Sequence, residues 1–190
     1  MGFARLEKFL HGCAAAGELY SKAAKNGHFV EAICLAANLI DAQLRIGIIL
    51  ARQIQRKDRS IDAELLFQSD SDRPIFEKEV YSITERESVI SPDLATELRD
   101  LYNDRNRVVH RYIITDITTE QVLDIAIAYE KTLEKVRSAI LELERKQIQL
   151  GVGMTVAGPA FEGPDAEKWL REMTSPKHGA DWISDAIRTK

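Results

Sequence analysis

The stretch DRNRVVHRY, residues 104–112, sets Arg105, Asn106, Arg107, His110, Arg111 and Tyr112 around a pair of valines. Side chains of these types can work on a phosphodiester. Histidine exchanges a proton near neutral pH because its ordinary pKa is about 6.5. Arginine stays charged, and its planar fork donates in pairs to phosphate oxygens. Asn106 can donate to a phosphate oxygen or orient the imidazole. Metal-free cleavage of RNA needs a base for the ribose 2′-OH, a cation for the phosphorane and an acid for the leaving 5′-oxygen. Arg105, His110 and Asn106 are therefore candidate catalytic residues, and Arg107, Arg111 and Tyr112 candidate substrate-binding residues. The plainer alternative is a solvated, charged helix end.

Helical geometry constrains the chemistry. At roughly 100° per residue, Asn106 and His110 lie about 40° apart, one turn along the same face. Arg105 and His110 lie about 140° apart, so one straight helix does not aim both at one phosphate. The helix distorts near His110, or long side chains reach, or a second copy completes the site. A two-fold axis would bring two Arg105 and two His110 to one cleft, with one histidine as base and the other as acid. It would also concentrate Arg105, Arg107 and Arg111 into a basic patch.

The pattern Arg105-x4-His110-x-Tyr112, with Asn106 directly after the arginine, resembles the signature carried by the ribonuclease members of the HEPN superfamily. Its H-x-Y extension resembles the toxin members of HEPN/nucleotidyltransferase toxin–antitoxin pairs. The resemblance covers roughly residues 28–150. It implies an all-α, HEPN-like helical bundle of four to five main helices, here with an N-terminal helix and a short helical C-terminal tail. It implies a metal-independent endoribonuclease, a toxin or defence effector, acting on RNA as a homodimer without a cofactor. It also implies that Tyr112 is the hydroxyl a nucleotidyltransferase antitoxin modifies; packing on the bundle and contact with RNA at the cleft rim are the other readings of that tyrosine. Many members of the superfamily do no chemistry, so a non-catalytic HEPN-like module binding nucleotide or a partner protein is the alternative. A helical scaffold that captures partners through its tail is a third.

The elements that would position the motif are helical. Phe3–Lys25 is rich in Ala, Leu, Glu and Lys and is closed by Asn26-Gly27. Residues 28–56 place Ile33, Ala36, Ala37, Ile40, Leu44, Ile48 and Ala51 at steps of three and four, which predicts a long central helix. Asn38 and Asp41 interrupt that stripe. They are polar groups on a helix edge, or one of them faces the motif and supports Arg105 or His110. Ile61–Gln68 suggests a short helix, and Pro74 the first turn of another running to about Val89. Ser91-Pro92-Asp93 is a strong start for the helix that ends in the motif. Thr118 or Thr119 caps a helix from about Glu120 to Gln149, with Val122, Ile125, Ala126, Tyr129, Leu133, Val136, Ile140 and Leu143 inward. Residues 1–151 thus read as the bundle. Residues 152–190 read as a Gly/Pro linker carrying Gly153, Gly158, Pro159 and Gly163, then a tail with helices near Asp165–Met173 and Ala180–Arg188 anchored by Trp169, Leu170, Trp182 and Ile183.

Composition limits the alternatives. The chain has 190 residues and a formal net charge of −4, so no global positive field attracts nucleic acid. Cys13 and Cys34 lack metal-ligand spacing and read as buried thiols. The N-terminal residues lack a long apolar core for a secretory signal, and polar residues break the apolar runs, so no membrane partner and a cytoplasmic location are expected. His11, His28 and His178 read as surface residues. Glu85–Glu87 reads as a solvated face, and the row Arg45, Arg52, Arg56 as either an RNA track or a solubilising surface.

Overall fold

The computed structural model describes residues 2–66, 68, 71–156 and 164–178. Among the described residues it is all-α, with six α-helices and no strand: α1 (Gly2–Lys25), α2 (Phe29–Arg56), α3 (Glu77–Arg86), α4 (Pro92–Arg111), α5 (Thr119–Leu150) and α6 (Pro164–His178). The three-and-four spacing of α2 makes it the central helix: Ile33, Ala36, Ile40, Leu44 and Ile48 are buried along one side. α5 runs against α2 and buries Val122, Ile125, Tyr129, Leu133, Val136 and Ile140, with Ala126 and Leu143 partly covered. α1, α3 and α4 also pack on α2, and α6 packs on α1. Gly47 lets α2 approach its neighbours closely; a Cβ there would strike the side chains of Ile140 and Val89.

The starts of α4 and α5 follow their capping chemistry. Ser91 accepts the amide of Leu94 at 3.2 Å, with Pro92 in the first turn of α4. Thr118, the first of the two threonines, caps α5. Its hydroxyl accepts the Gln121 amide at 3.2 Å while the Gln121 side chain accepts the Thr118 amide at 2.9 Å.

Two expected helices are shorter. Ile61–Gln68 yields only a 3-10 turn, Ala63–Leu65, and α3 begins at Glu77, leaving Pro74 outside it. One side chain ties the segment between them to the core. Arg45, only 7% exposed, turns inward from α2 and donates to the carbonyls of Leu65 at 3.1 Å and Ile75 at 2.6 Å. Arg45 thereby fixes the two ends of the connection that leads into α3.

Each arginine of the α2 row has a carboxylate partner within the chain. Arg45 pairs with Asp41 at 2.6 Å, Arg52 holds both oxygens of Glu87 at 2.8 and 3.0 Å, and Arg56 pairs with Asp62 at 3.1 Å. Glu85 likewise pairs with Arg99 across helices, so Glu85–Glu87 is a set of cross-helix ties rather than a solvated face. α2 is long and apolar enough to cross a membrane by length and composition, but 56% of the relevant window is buried by its neighbours.

The chain after α5 is tied down before the expected linker composition takes over. Gln53 and Gln147 are fully buried and bonded to each other at 2.9 Å. Gln53 accepts the Met154 amide at 3.1 Å and Gln147 the Thr155 amide at 3.0 Å. Gly153 crosses this pair with φ +80°, where a Cβ would run into the Gln147 amide. Gly153→Ala is expected to lower stability by about 1–3 kcal/mol through strain and displacement of that amide, read as a lower urea midpoint.

α6 extends to His178, beyond the expected Met173. Trp169 and Leu170 keep considerable exposure, while His178 is mostly covered, with Nε2 3.7 Å from Glu18, so it is not a surface residue. Gly158, Pro159 and Gly163, and the helix expected at residues 180–188 with Trp182 and Ile183, lie outside the described residues.

Both thiols are partly rather than fully covered. Burial, then the nearby charge of Asp41, pushes Cys13 up to about 11. Burial also raises Cys34, against a downward pull from Arg105. At pH 8 only about a thousandth of Cys13 is thiolate, so its alkylation is expected to be far slower than that of a free thiol. Mass spectrometry of timed iodoacetamide reactions checks this.

Candidate functional site at the end of α4

The buried side of α4 carries Leu94, Ala95, Leu98, Leu101 and Val108. Arg105 falls four residues after Leu101 and three before Val108, on the same stripe. Its side chain is therefore largely covered, 18% exposed, and needs an internal counter-charge. Glu77, at the start of α3, supplies it: Arg105 Nη1 donates to Glu77 Oε2 at 2.6 Å. The other Glu77 oxygen accepts the Tyr81 hydroxyl. Arg105 Nη2 donates to Asn106 Oδ1 at 3.3 Å, and the guanidinium lies 4.7 Å from the centre of the Tyr102 ring. Lys78 lies 4.5 Å from the same ring.

The charges here are tuned by burial and by one another. Burial works against the Arg105 charge, but Glu77 outweighs it and holds the guanidinium above the usual arginine range. Burial raises the Tyr81 phenol, and the Glu77 carboxylate beside it raises it further. Asp41 is raised by burial despite its bond to Arg45, and it also feels Glu77 and Arg105. Its Oδ1 is buried without a hydrogen-bond partner among the described residues.

The other motif residues face outward. α4 stays α-helical through Arg111 and tightens into a 3-10 turn only at Tyr112–Ile114, so the helix does not bend His110 toward Arg105. His110 is exposed and makes no bond to another described side chain. Arg107 is exposed, 3.5 Å from Asp104, and exposed Arg111 has no ion-pair partner among the described residues. The Tyr112 hydroxyl meets Thr119 Oγ1 at 2.9 Å, linking the motif to the start of α5. Beyond it Ile113 and Ile114 are 94% and 78% exposed.

Each expected role can now be placed. Asn106 contacts Arg105 rather than the imidazole. Asp41 approaches the Arg105 cluster but is bonded to Arg45 and not beside His110, and Asn38 is exposed. A single chain brings together Arg105, Asn106 and the neighbourhood of Asp41; His110, Arg107 and Arg111 form a separate outward group. Glu77, Tyr81 and Tyr102 belong to the site without having been singled out from the sequence. Tyr102, one turn before Arg105, was readable from spacing. Glu77, 28 residues away, carried no local signal.

Among the described residues no group of three or more His, Cys, Asp or Glu is placed to hold a metal ion. Comparison with protein-family models, curated proteins and solved structures finds no match.

Glu77→Ala is expected to destabilise the fold by about 1–3 kcal/mol, less than for a fully buried pair because both groups keep some solvent. Glu77→Gln should cost less, since the amide oxygen still accepts from Arg105. Urea denaturation of the two variants checks the order.

Proposed function

We propose that the chain is a metal-independent endoribonuclease of HEPN type whose cleft is completed by a second copy. The observation that carries this reading is the pair Ile113 and Ile114, exposed on the turn that directly follows His110 and Arg111. Large apolar side chains this open, beside outward cations, suit a surface that another protein covers. A two-fold partner seated there sets the imidazoles of two chains at one phosphodiester, each with an arginine group behind it.

In this cleft one His110 takes the 2′-OH proton and the 2′-oxygen attacks phosphorus. The other His110 protonates the departing 5′-oxygen, leaving a 2′,3′-cyclic phosphate and a 5′-hydroxyl. Because Arg105 and His110 face apart within one chain, the Arg105 that stabilises the added charge on the phosphorane comes from the partner copy, held there by Glu77, Asn106 and Tyr102. Arg107 and Arg111 track the flanking phosphates. This activity fits a cytoplasmic toxin or defence effector, and the exposed edge of Tyr112 fits a hydroxyl that a nucleotidyltransferase antitoxin could modify.

The second reading is a module that binds phosphate groups and cleaves nothing. The Arg105–Glu77 pair favours it, because a guanidinium already neutralised has less to offer a transition state.

The test is incubation of RNA with the protein in excess EDTA. The nuclease reading expects cleavage with 2′,3′-cyclic ends, and loss of cleavage together with monomerisation in Ile113→Asp/Ile114→Asp. RNA binding without cleavage at high protein concentration supports the second reading instead.

A further inference from the structure

An open groove of about 560 Å³ lies beside the motif. One wall is the start of α2, with Phe29, Val30 and Cys34; the other is Tyr112 with Thr119 and Val122 from α5. The volume is within the range of small-molecule sites, and the lining is mostly apolar with a few polar groups. Two rings, Phe29 and Tyr112, border it. Val30 and Tyr112 are both more than 40% exposed, so the walls are open rather than packed. Polar edges are present: the Tyr112 and Thr119 hydroxyls meet at 2.9 Å, and the first-turn amides of α2 have no side-chain cap from His28. His110 and Arg111, both exposed, immediately precede Tyr112 in the chain.

We infer that this groove binds an unpaired nucleobase of the RNA chain, with its phosphodiester lying toward His110 and Arg111. The inference rests on the ribonucleic-acid reading above and deepens it by naming the substrate as single-stranded at this position. The chemistry of the walls fits a base better than an aliphatic chain. A base is a flat apolar ring that stacks on aromatic side chains, and its edge carries donors and acceptors that the hydroxyls and free amides can meet. The lining also includes Glu31, 3.5 Å from His28, and no lysine or arginine, so the phosphate is placed toward exposed His110 and Arg111, which precede Tyr112 in the chain. Tyr112, on the groove wall, lies two residues along the chain from the proposed proton carrier.

The experiment uses the full chain and a deoxydinucleotide carrying 2-aminopurine, which lacks the 2′-OH and cannot be cleaved by the proposed route. Its comparison is a dinucleotide of the same charge with an abasic site in place of the fluorescent base. Binding is read by fluorescence quenching for the first and by its competition for the second. The groove reading expects the abasic compound to bind about tenfold more weakly or worse. It expects a similar loss of 2-aminopurine binding in Val30→Trp, which fills the groove from an exposed first-turn position. Thr119→Val tests the polar edge and is expected to weaken binding about threefold. Equal binding of the two probes, or unaltered binding in Val30→Trp, overturns the inference. The two proposals separate cleanly. Cleavage of RNA with equal probe affinities leaves the nuclease and removes the groove; selective base binding without cleavage keeps the groove and removes the nuclease.

Discussion

Alanine at His110 is expected to lower RNA cleavage by about 10²- to 10⁴-fold, the usual range for removing a positioned proton carrier. The same substitution should leave the urea midpoint unchanged within about 0.5 kcal/mol, because the side chain is exposed and unbonded. That contrast makes it a cleaner probe than Arg105→Ala. Removing the Arg105 guanidinium also strands the Glu77 carboxylate, so lost activity would be mixed with lost stability. Arg105→Lys keeps the charge but not the paired donation, and should recover stability better than rate. A His110→Ala protein that is folded and cleaves at the wild-type rate would remove the imidazole from the mechanism.

The second large effect concerns the scaffold. Arg45→Met is expected to destabilise the fold by about 3–5 kcal/mol, measured by urea or thermal unfolding. Methionine replaces the packing but removes the donors to the Leu65 and Ile75 carbonyls and leaves Asp41 buried without its cation. The pH dependence has a definite sign. Burial already raises the folded pKa of Asp41 above its unfolded value, and losing Arg45 raises it further. The folded state then binds a proton more readily than the unfolded state. The penalty is full above the folded pKa and shrinks as pH falls through it. The deficit of Arg45→Met relative to wild type should therefore narrow toward acid pH, and Arg45→Met/Asp41→Asn should recover part of it at neutral pH. An unchanged midpoint in Arg45→Met would mean that the connection into α3 is held by something else.

The elements read most accurately from sequence are those whose signal is local. α2 and α5 announce themselves through apolar residues at steps of three and four, and α4 through Ser91-Pro92. Thr118 and Gln121 satisfy each other within one turn, so their pattern suffices. What failed depends on partners far away in the chain. Nothing within Ile61–Gln68 indicates that a guanidinium 20 residues earlier donates to the Leu65 carbonyl. Pro74 suits a first helical turn, yet Arg45 holds the Ile75 carbonyl and the helix waits until Glu77. The arginines of α2 looked like a basic row because their acids, Asp62 and Glu87, come from other segments.

The candidate site divides in the same way. The covered position of Arg105 went unread, although it continues the stripe of Leu94, Leu98, Leu101 and Val108. Its separation from His110 was legible, from the turn of an α-helix that holds its geometry through Arg111. The identity of the counter-ion was not, because an interior arginine demands a carboxylate without specifying which. The exposed turn at Ile113 and Ile114 was equally hidden: apolar residues after a charged helix end are as compatible with core as with surface until the path of the chain is known.

The central claim is that two chains share one reaction centre, and mixing subunits tests it most directly. Wild-type and His110→Ala proteins are combined at fixed total concentration, allowed to exchange, and assayed for RNA cleavage in EDTA. If each cleft needs an imidazole from both chains, activity falls as the square of the wild-type fraction, to about one quarter in an equal mixture. A linear fall, to about one half, would mean that each chain cleaves on its own and would contradict the shared cleft.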